Sequence, residues 1–325
     1  MLASRFSARL FVPATFSRVG ETSMLSKKKT IVGLGELLWD LFPAGKQLGG
    51  APANFAYITS LLGDDGIPAS RLGEDALGAE AIRRLGELGL STEFIQKDAD
   101  HPTGTVKVEV DPSGQPRFEI AESVAWDFFE FTPHWQKLAQ QTDAVCFGSL
   151  AQRSDRSGDT IRRFLLGTRP GTVRVFDVNL RQNFYTTQVL AESMKLATVV
   201  KLNHEELPKI MRLFKLEDRG EEDSARRLLS SYDLKLVCIT RGTNGSLLVS
   251  ADESTEHPGF KVKVADTVGA GDAFTAALVH GYLRATSLGQ INETANRVGA
   301  WVASQSGGTP APKAGDLRQS LAEIG

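Results

Sequence analysis

Residues Asp266–Phe274 read DTVGAGDAF, and from Asp272 the run DAFTAALVHGYL is helical in composition. Three small residues, Gly269, Ala270 and Gly271, stand directly before that aspartate, so a glycine turn opens a helix. The first N–H groups of a helix lack partners within it, and the macrodipole is positive at that end, so such a turn is an anion site. Glycines let a phosphate come close to the main chain. A carboxylate next to a bound anion is repelled by it, so stability alone gives no reason to place Asp272 there. It suits a base that takes a proton from a hydroxyl attacking a phosphate. The other reading of Asp272 is a helix cap, and the rest of the chain decides between them.

Outward from this turn, short apolar strands alternate with helices. Ala144–Phe147, Val173–Asp177, Thr198–Leu202, Leu236–Thr240 and Ser246–Val249 read as strands, with helical stretches such as Ser157–Leu166 and Ala225–Ser231 between them. Alternation of this kind predicts βαβ units and a mostly parallel, doubly wound α/β sheet. Nearer the N-terminus, Thr30–Gly33 reads as a buried strand, Gly49–Leu62 as glycines followed by an apolar helix, and Asp75–Leu88 as a helix with Asp75 at its N-cap. Thr105–Val110 and Gln115–Ile120 flank the turn DPSG and predict a β-hairpin with Val106, Val108 and Val110 on one face.

The 325 residues allow two domains or one large one, and no linker divides them. A single domain over 24–325 is therefore expected, with a small lid around 103–122. Residues 1–23 form a tail that is basic and free of acids up to Gly20. It reads either as an organelle transit peptide or as an upstream start with Met24 the working initiator. With 37 Lys+Arg against 39 Asp+Glu, the chain lacks the basic footprint of a nucleic-acid binder. No apolar run reaches the roughly 18 residues of a membrane span. Cys146 and Cys238 both sit in apolar strand runs and read as reduced core residues. A reducing compartment follows: cytoplasm, or an organelle if the tail is a transit peptide. The five histidines form no metal-ligand spacing; His204 reads as solvent-facing and His280 as a packing residue.

DTVGAGDAF resembles the C-terminal signature of the ribokinase-like, or PfkB, carbohydrate kinase family. GGAPANFA (Gly49–Ala56) resembles that family's sugar-binding glycine motif, and RLGEDALG (Arg71–Gly78) the segment after it. NHEE (Asn203–Glu206) is similar to its Asn-x-x-Glu, and TRGTNG (Thr240–Gly245) to its nucleotide loop. These five motifs stand in the family's order. No GxxxxGK[ST] loop is present, and GLGELL from Gly33 lacks the third glycine of the dinucleotide fingerprint.

The resemblance implies a role for each of these positions. Asp272 is the catalytic base, and Gly269, Ala270 and Gly271 form the anion hole for the transferred phosphoryl group. Asn203 and Glu206 act on the ATP phosphates and on Mg²⁺, Glu206 through water; as a plain sequence, NHEE also reads as a helix start capped by Asn203. Thr240, Gly242 and Gly245 line the nucleotide, and Asn296 lies near adenine. Asp40, Gly50 and Asn54 take the sugar hydroxyls, since a carboxylate and an amide suit a polyol; Asp40 also reads as a turn residue before Phe42-Pro43. Arg181 faces the sugar or a phosphate, or is a surface ion-pairing arginine. Carbonyls near Asp266, Val268 and Gly307 hold a K⁺ ion behind the anion hole. The hairpin is the lid over the sugar and a surface for a homodimer.

Ala51-Pro52 and Leu38 depart from the ribokinase branch and speak against ribose. GELLWDLFP, GGAPANFA and FDVNLR look more like fructokinases. The expected activity is ATP-dependent phosphorylation of a primary hydroxyl, fructose giving fructose 6-phosphate. 2-Keto-3-deoxygluconate, ribose, another hexose and nucleosides are the alternative acceptors, and a catalytically silent sugar- or nucleotide-binding regulator is the alternative outside the enzyme class.

Overall fold

The computed structural model describes residues 27–43, 45–110 and 116–324. The tail over 1–23 and the DPSG turn lie outside these residues. In chain order the elements are β1 (Thr30–Leu34), β2 (Leu38–Phe42), β3 (Gly45–Gly49), α1 (Ala51–Leu61), β4 (Asp65–Gly73), α2 (Ala76–Glu87), β5 (Ile95–Asp98), β6 (Gly104–Val110) and β7 (Pro116–Ile120). They continue with α3 (Pro133–Gln141), β8 (Ala144–Gly148), α4 (Asp155–Leu166), β9 (Val173–Asp177), α5 (Thr187–Leu196), β10 (Val199–Asn203), α6 (Glu206–Leu213) and α7 (Glu221–Tyr232). The last are β11 (Leu236–Thr240), β12 (Ser246–Ser250), β13 (Ser254–His257), α8 (Ala270–Tyr282), α9 (Leu288–Ala303) and α10 (Leu317–Ala322).

A nine-stranded sheet runs in the order β13-β12-β11-β10-β9-β8-β1-β4-β5. It is parallel from β5 through β11 and antiparallel at β12 and β13. Strands such as AVCFG, VRVFD, VVKLN and LVCIT are nearly continuous apolar runs because helices cover both their faces. One face packs around Phe147, Phe164 and Phe176, the other around Phe55, Ile58, Leu278 and Trp301. Phe164 is fully buried, so Phe164→Ala would cost about 3–5 kcal/mol. Cys146 and Cys238 are buried and free, as their apolar runs predict.

From β1 the strand order runs outward in both directions, to β4 and β5 on one side and to β8–β13 on the other. The crevice beyond the C-terminal strand ends at such a reversal is where open α/β sheets bind ligands. Gly148, Asp177, Asn203 and Thr240 terminate β8, β9, β10 and β11 at that edge.

The lid is larger than the expected hairpin. A second sheet, β3-β2-β6-β7, pairs the β6–β7 hairpin with β2 in parallel and adds β3. Asp40 therefore lies within strand β2 and not in a turn. Asp75 caps α2, its carboxylate accepting from Gly78 N at 2.7 Å. The same carboxylate accepts from Thr103 N at 2.8 Å and so ties α2 to the entry of the lid. His280 departs from a packing role: its Nδ1 lies 2.8 Å from the fully buried Asp64 carboxylate, which Arg284 also holds at 2.7 Å. Among the described residues no helix is long and apolar enough to cross a membrane.

Candidate active site

Gly269 opens α8 at φ 76, and a Cβ there would meet Gly308 Cα at 2.4 Å. Only glycine fits both demands, so DTVGAGD folds as a tight turn pressed against the loop after α9. Ala270 N–H turns back onto Thr267 O at 3.3 Å, which leaves the N–H groups of Gly271 and Asp272 to point forward from the helix start. Asp272, in the first turn of α8, accepts a 2.9 Å hydrogen bond from Asn54 Nδ2. Burial raises the Asp272 carboxyl to about 6, and Asp177 adds to the rise; Asn54, Lys201 and Arg181 limit it. A carboxyl raised in this way has the protonation range that general-base catalysis near neutral pH needs.

Asn54 is only 4% exposed and sits between Asp272 and Gly308. The residue expected on the sugar thus also orients the Asp272 carboxylate. Gly50 precedes α1 at φ 111 and lies over the Glu36 carbonyl. Across the crevice, Asp40 stands on β2 with Oδ2 against Gly49, where any side chain would collide with it. Burial pushes its carboxyl up to about 6, against the pull of Arg181. Arg181 is exposed, and its charge reaches Asp40, Glu36 and Asp272. Among the described residues it forms no ion pair, so the surface ion-pair reading fails.

NHEE is a helix start as well as a candidate phosphate motif. Asn203 Oδ1 accepts from Glu205 N and Glu206 N, and Glu206 Oε2 accepts from Asn203 N at 2.8 Å, a reciprocal cap. Glu206 Oε1 accepts from Leu180 N at 2.7 Å, which pins NHEE to the loop after β9. His204 is exposed, as expected. Thr240 ends β11, and a tight turn over Gly242–Asn244 leads to Gly245 at φ 79. Asn296 reaches the same corner but spends its amide on Ser246 Oγ at 2.8 Å and Asn292 O at 2.8 Å, supporting the loop from beneath. Asp266 bridges Val268 N and Gly307 N at 3.0 and 3.1 Å, so the three residues expected near a K⁺ ion do converge.

Sequence reasoning missed Glu36, Asp177 and Lys201. Glu36 and Lys201 are charged residues inside apolar runs, GLGELLW and TVVKLN, and that interruption was the available signal. Glu36 is buried with Oε2 unpartnered, and burial raises its carboxyl to about 7. It lines a small cavity with Asp272, Asp177, Asn179 and Thr275. Lys201 Nζ pairs with Asp177 Oδ1 at 3.1 Å, and Thr275 Oγ1 donates to Asp177 Oδ2 at 3.2 Å.

A helix N-terminus with forward N–H groups, a buried carboxyl beside it, and an arginine whose charge acts on that carboxyl and on a second one are the parts that phosphoryl transfer to a hydroxyl needs. Residues 34–314 match the pfkB family of carbohydrate kinases, and the chain belongs to that family. It is thereby a phosphotransferase with an alcohol group as acceptor. Within the family it is similar to the fructokinases: it is 29% identical to a fructokinase of Escherichia coli over 294 residues, 84% of this chain and 93% of that one. The solved structure of an uncharacterized sugar kinase from Pyrococcus horikoshii in complex with ATP is 30% identical, with a TM-score of 0.75 over 86% of this chain and 94% of that one. A fructokinase of Xylella fastidiosa, 22% identical, shares the fold at a TM-score of 0.80, over 91% of this chain and 97% of that one.

Proposed function

We propose that this enzyme transfers the γ-phosphoryl group of ATP to the primary hydroxyl of fructose, giving fructose 6-phosphate and ADP. The observation that carries the acceptor site is the charge of Arg181, which acts on both Asp40, on a lid strand, and Asp272. Asp40 accepts hydrogen bonds from sugar hydroxyls, and the lid covers the ring. Asp272 takes the proton of the attacking hydroxyl. The hydroxyl oxygen bonds to the γ-phosphorus as the bond from that phosphorus to the bridging oxygen breaks, and ADP leaves. The N–H groups at the start of α8 stabilise the charge on the transferring group.

ATP fits the strand-end crevice from the glycine turn to the Thr240–Gly245 loop, with its phosphates at α8. Mg²⁺ would neutralise the β- and γ-phosphates with few protein ligands, and Glu206, whose two carboxylate oxygens already accept from Leu180 N and Asn203 N, would hold it through water. K⁺ at the Asp266–Gly307 corner would brace the turn. The lid, which exposes Phe118, is the surface for a homodimer.

A second acceptor is favoured by one observation. An unpaired, exposed Arg181 facing the base suits a substrate carboxylate, which 2-keto-3-deoxygluconate carries and fructose lacks. ADP release measured against fructose, 2-keto-3-deoxygluconate, ribose and nucleosides tests both. The highest kcat/KM with fructose is the expected result; a preference for the keto acid would move the assignment to it.

A further inference from the structure

Lys201 lies in β10, between the parallel strands β9 and β11, and is 7% exposed. Its side chain is 9% exposed, close to that of Arg153 at 6%. Burying an ammonium costs several kcal/mol, and an ion pair with Asp177 only offsets that cost; an apolar pair of similar volume is commonly as stable or more so. Its location adds to the cost. A Cβ at Gly271 would lie 3.2 Å from Nζ, so the ammonium sits directly beside the first turn of α8. A cation is disfavoured at a helix N-terminus, where the macrodipole is already positive. Thr275, one turn further along, bonds Gly271 O at 2.9 Å and Asp177 Oδ2, locking the lysine's partner to this turn. Folding therefore gives no reason for a lysine in this place.

A reason appears when a phosphoryl group arrives. Asp177, Glu206 and Asp272 all act on Lys201, so three carboxyl groups surround the point where further negative charge must be received. Glycine at 271 leaves no side chain between Nζ and the helix start. We propose that Lys201 is a catalytic residue, whose ammonium, presented through the gap at Gly271, neutralises the charge that develops on the transferred phosphoryl group. This rests on the phosphoryl-transfer reading of the site. Lys201 stays protonated throughout, since Asp272 receives the hydroxyl proton. Its charge also limits how far the Asp272 carboxyl rises.

The test is Lys201→Met, which keeps the length and removes the charge. kcat is expected to fall by about 10²–10³, the usual effect of losing one charge-stabilising group. KM for the sugar is expected to change less than about threefold, because the same group adds nothing to ground-state sugar binding. Calorimetry with Mg²⁺ and sugar should show affinity for ADP–aluminium fluoride, a mimic of the transferring phosphoryl group, falling far more than affinity for ADP. The acid limb of kcat/KM should also move to higher pH, because the Lys201 charge holds the Asp272 carboxyl down; the unequal losses for ADP–aluminium fluoride and ADP are what a purely structural lysine would not cause. Should Lys201→Met not fold, the double variant Lys201→Met/Asp177→Asn removes the buried pair as a unit and carries the same expectations for kcat and for ADP–aluminium fluoride, while its acid limb should not rise, because Asp177, which raises the Asp272 carboxyl, is also gone. A folded variant with turnover within about fivefold of wild type, or with equal losses for ADP and ADP–aluminium fluoride, overturns the role of Lys201 and leaves the kinase reading standing. A wild-type enzyme that phosphorylates none of the sugars overturns the kinase reading, and this role with it.

Discussion

Asn54 Nδ2 donates to Asp272 Oδ2 at 2.9 Å, joining the first turn of α1 to the first turn of α8 across 218 residues of chain. The glycine motif that opens α1 and the glycine turn that opens α8 are thus two halves of one device. The first brings an amide to the carboxylate of the second and fixes the direction of its free oxygen.

Asn54→Ala is expected to lower kcat by about 10–100-fold, since a hydrogen bond to a charged group contributes about 1.5–3 kcal/mol. That bond also keeps the Asp272 carboxyl from rising further. Its loss should move the acid limb of the kcat/KM profile upward. A pH–rate profile of the variant checks both effects; an unshifted limb with only KM for the sugar raised would confine Asn54 to sugar binding.

Asp272→Asn keeps the size and the capacity to cap a helix but removes the base. kcat should fall by about 10²–10⁴. ATP affinity should hold or improve, because a negative charge beside the phosphates is gone. In the wild type the carboxyl titrates at about 6. The base is ionised above that value and protonated below it, so kcat/KM should fall as pH drops through about 6. Turnover and ATP calorimetry on one preparation decide the matter; near-normal turnover would remove Asp272 from the chemistry.

Asp40→Ala and Arg181→Ala should raise KM for the sugar by about tenfold or more and leave KM for ATP nearly unchanged. The Arg181 charge acts on Asp40, and the proposed acceptor site takes both. Steady-state kinetics with each substrate varied in turn gives the answer, and equal changes in both KM values would assign these residues to the fold.

Asp64 offers a contrast far from the chemistry. Burial alone would raise its carboxyl, but hydrogen bonds from His280, Arg284 and Lys29 N outweigh burial and hold it well below the usual range. Asp64→Asn strands two partners and should cost about 3 kcal/mol, a Tm drop of several degrees, with kcat unchanged at 25 °C. A carboxyl with a lowered folded pKa contributes stability above its unfolded value and loses it as pH falls. The deficit should therefore be full above about pH 4 and shrink in more acid buffer. A series of melting curves across pH measures it.

The sequence determined which chemistry is present and on what elements. Near-continuous apolar runs between helical stretches specified a parallel sheet, because a strand covered on both faces must be apolar throughout. The glycines around Asp272 specified a tight turn that opens a helix, because local backbone geometry alone makes one. Asp75 as a cap and His204 as exposed were likewise local properties. Strand β4 was not legible: it contains Pro68, which has no N–H for a sheet ladder, yet β1 and β5 flank it and tertiary packing overrides that bias. Nor was the extent of the lid, since the pairing of β2 with β6 joins segments distant in the chain. The charge of the site was decided wholly in three dimensions. Glu36, Asp177, Lys201 and Asp272 come from four separate segments, and what each carboxyl does depends on burial and on the distance to the others. No local pattern encodes either quantity, because both exist only once the strand ends have been brought to one edge of the sheet.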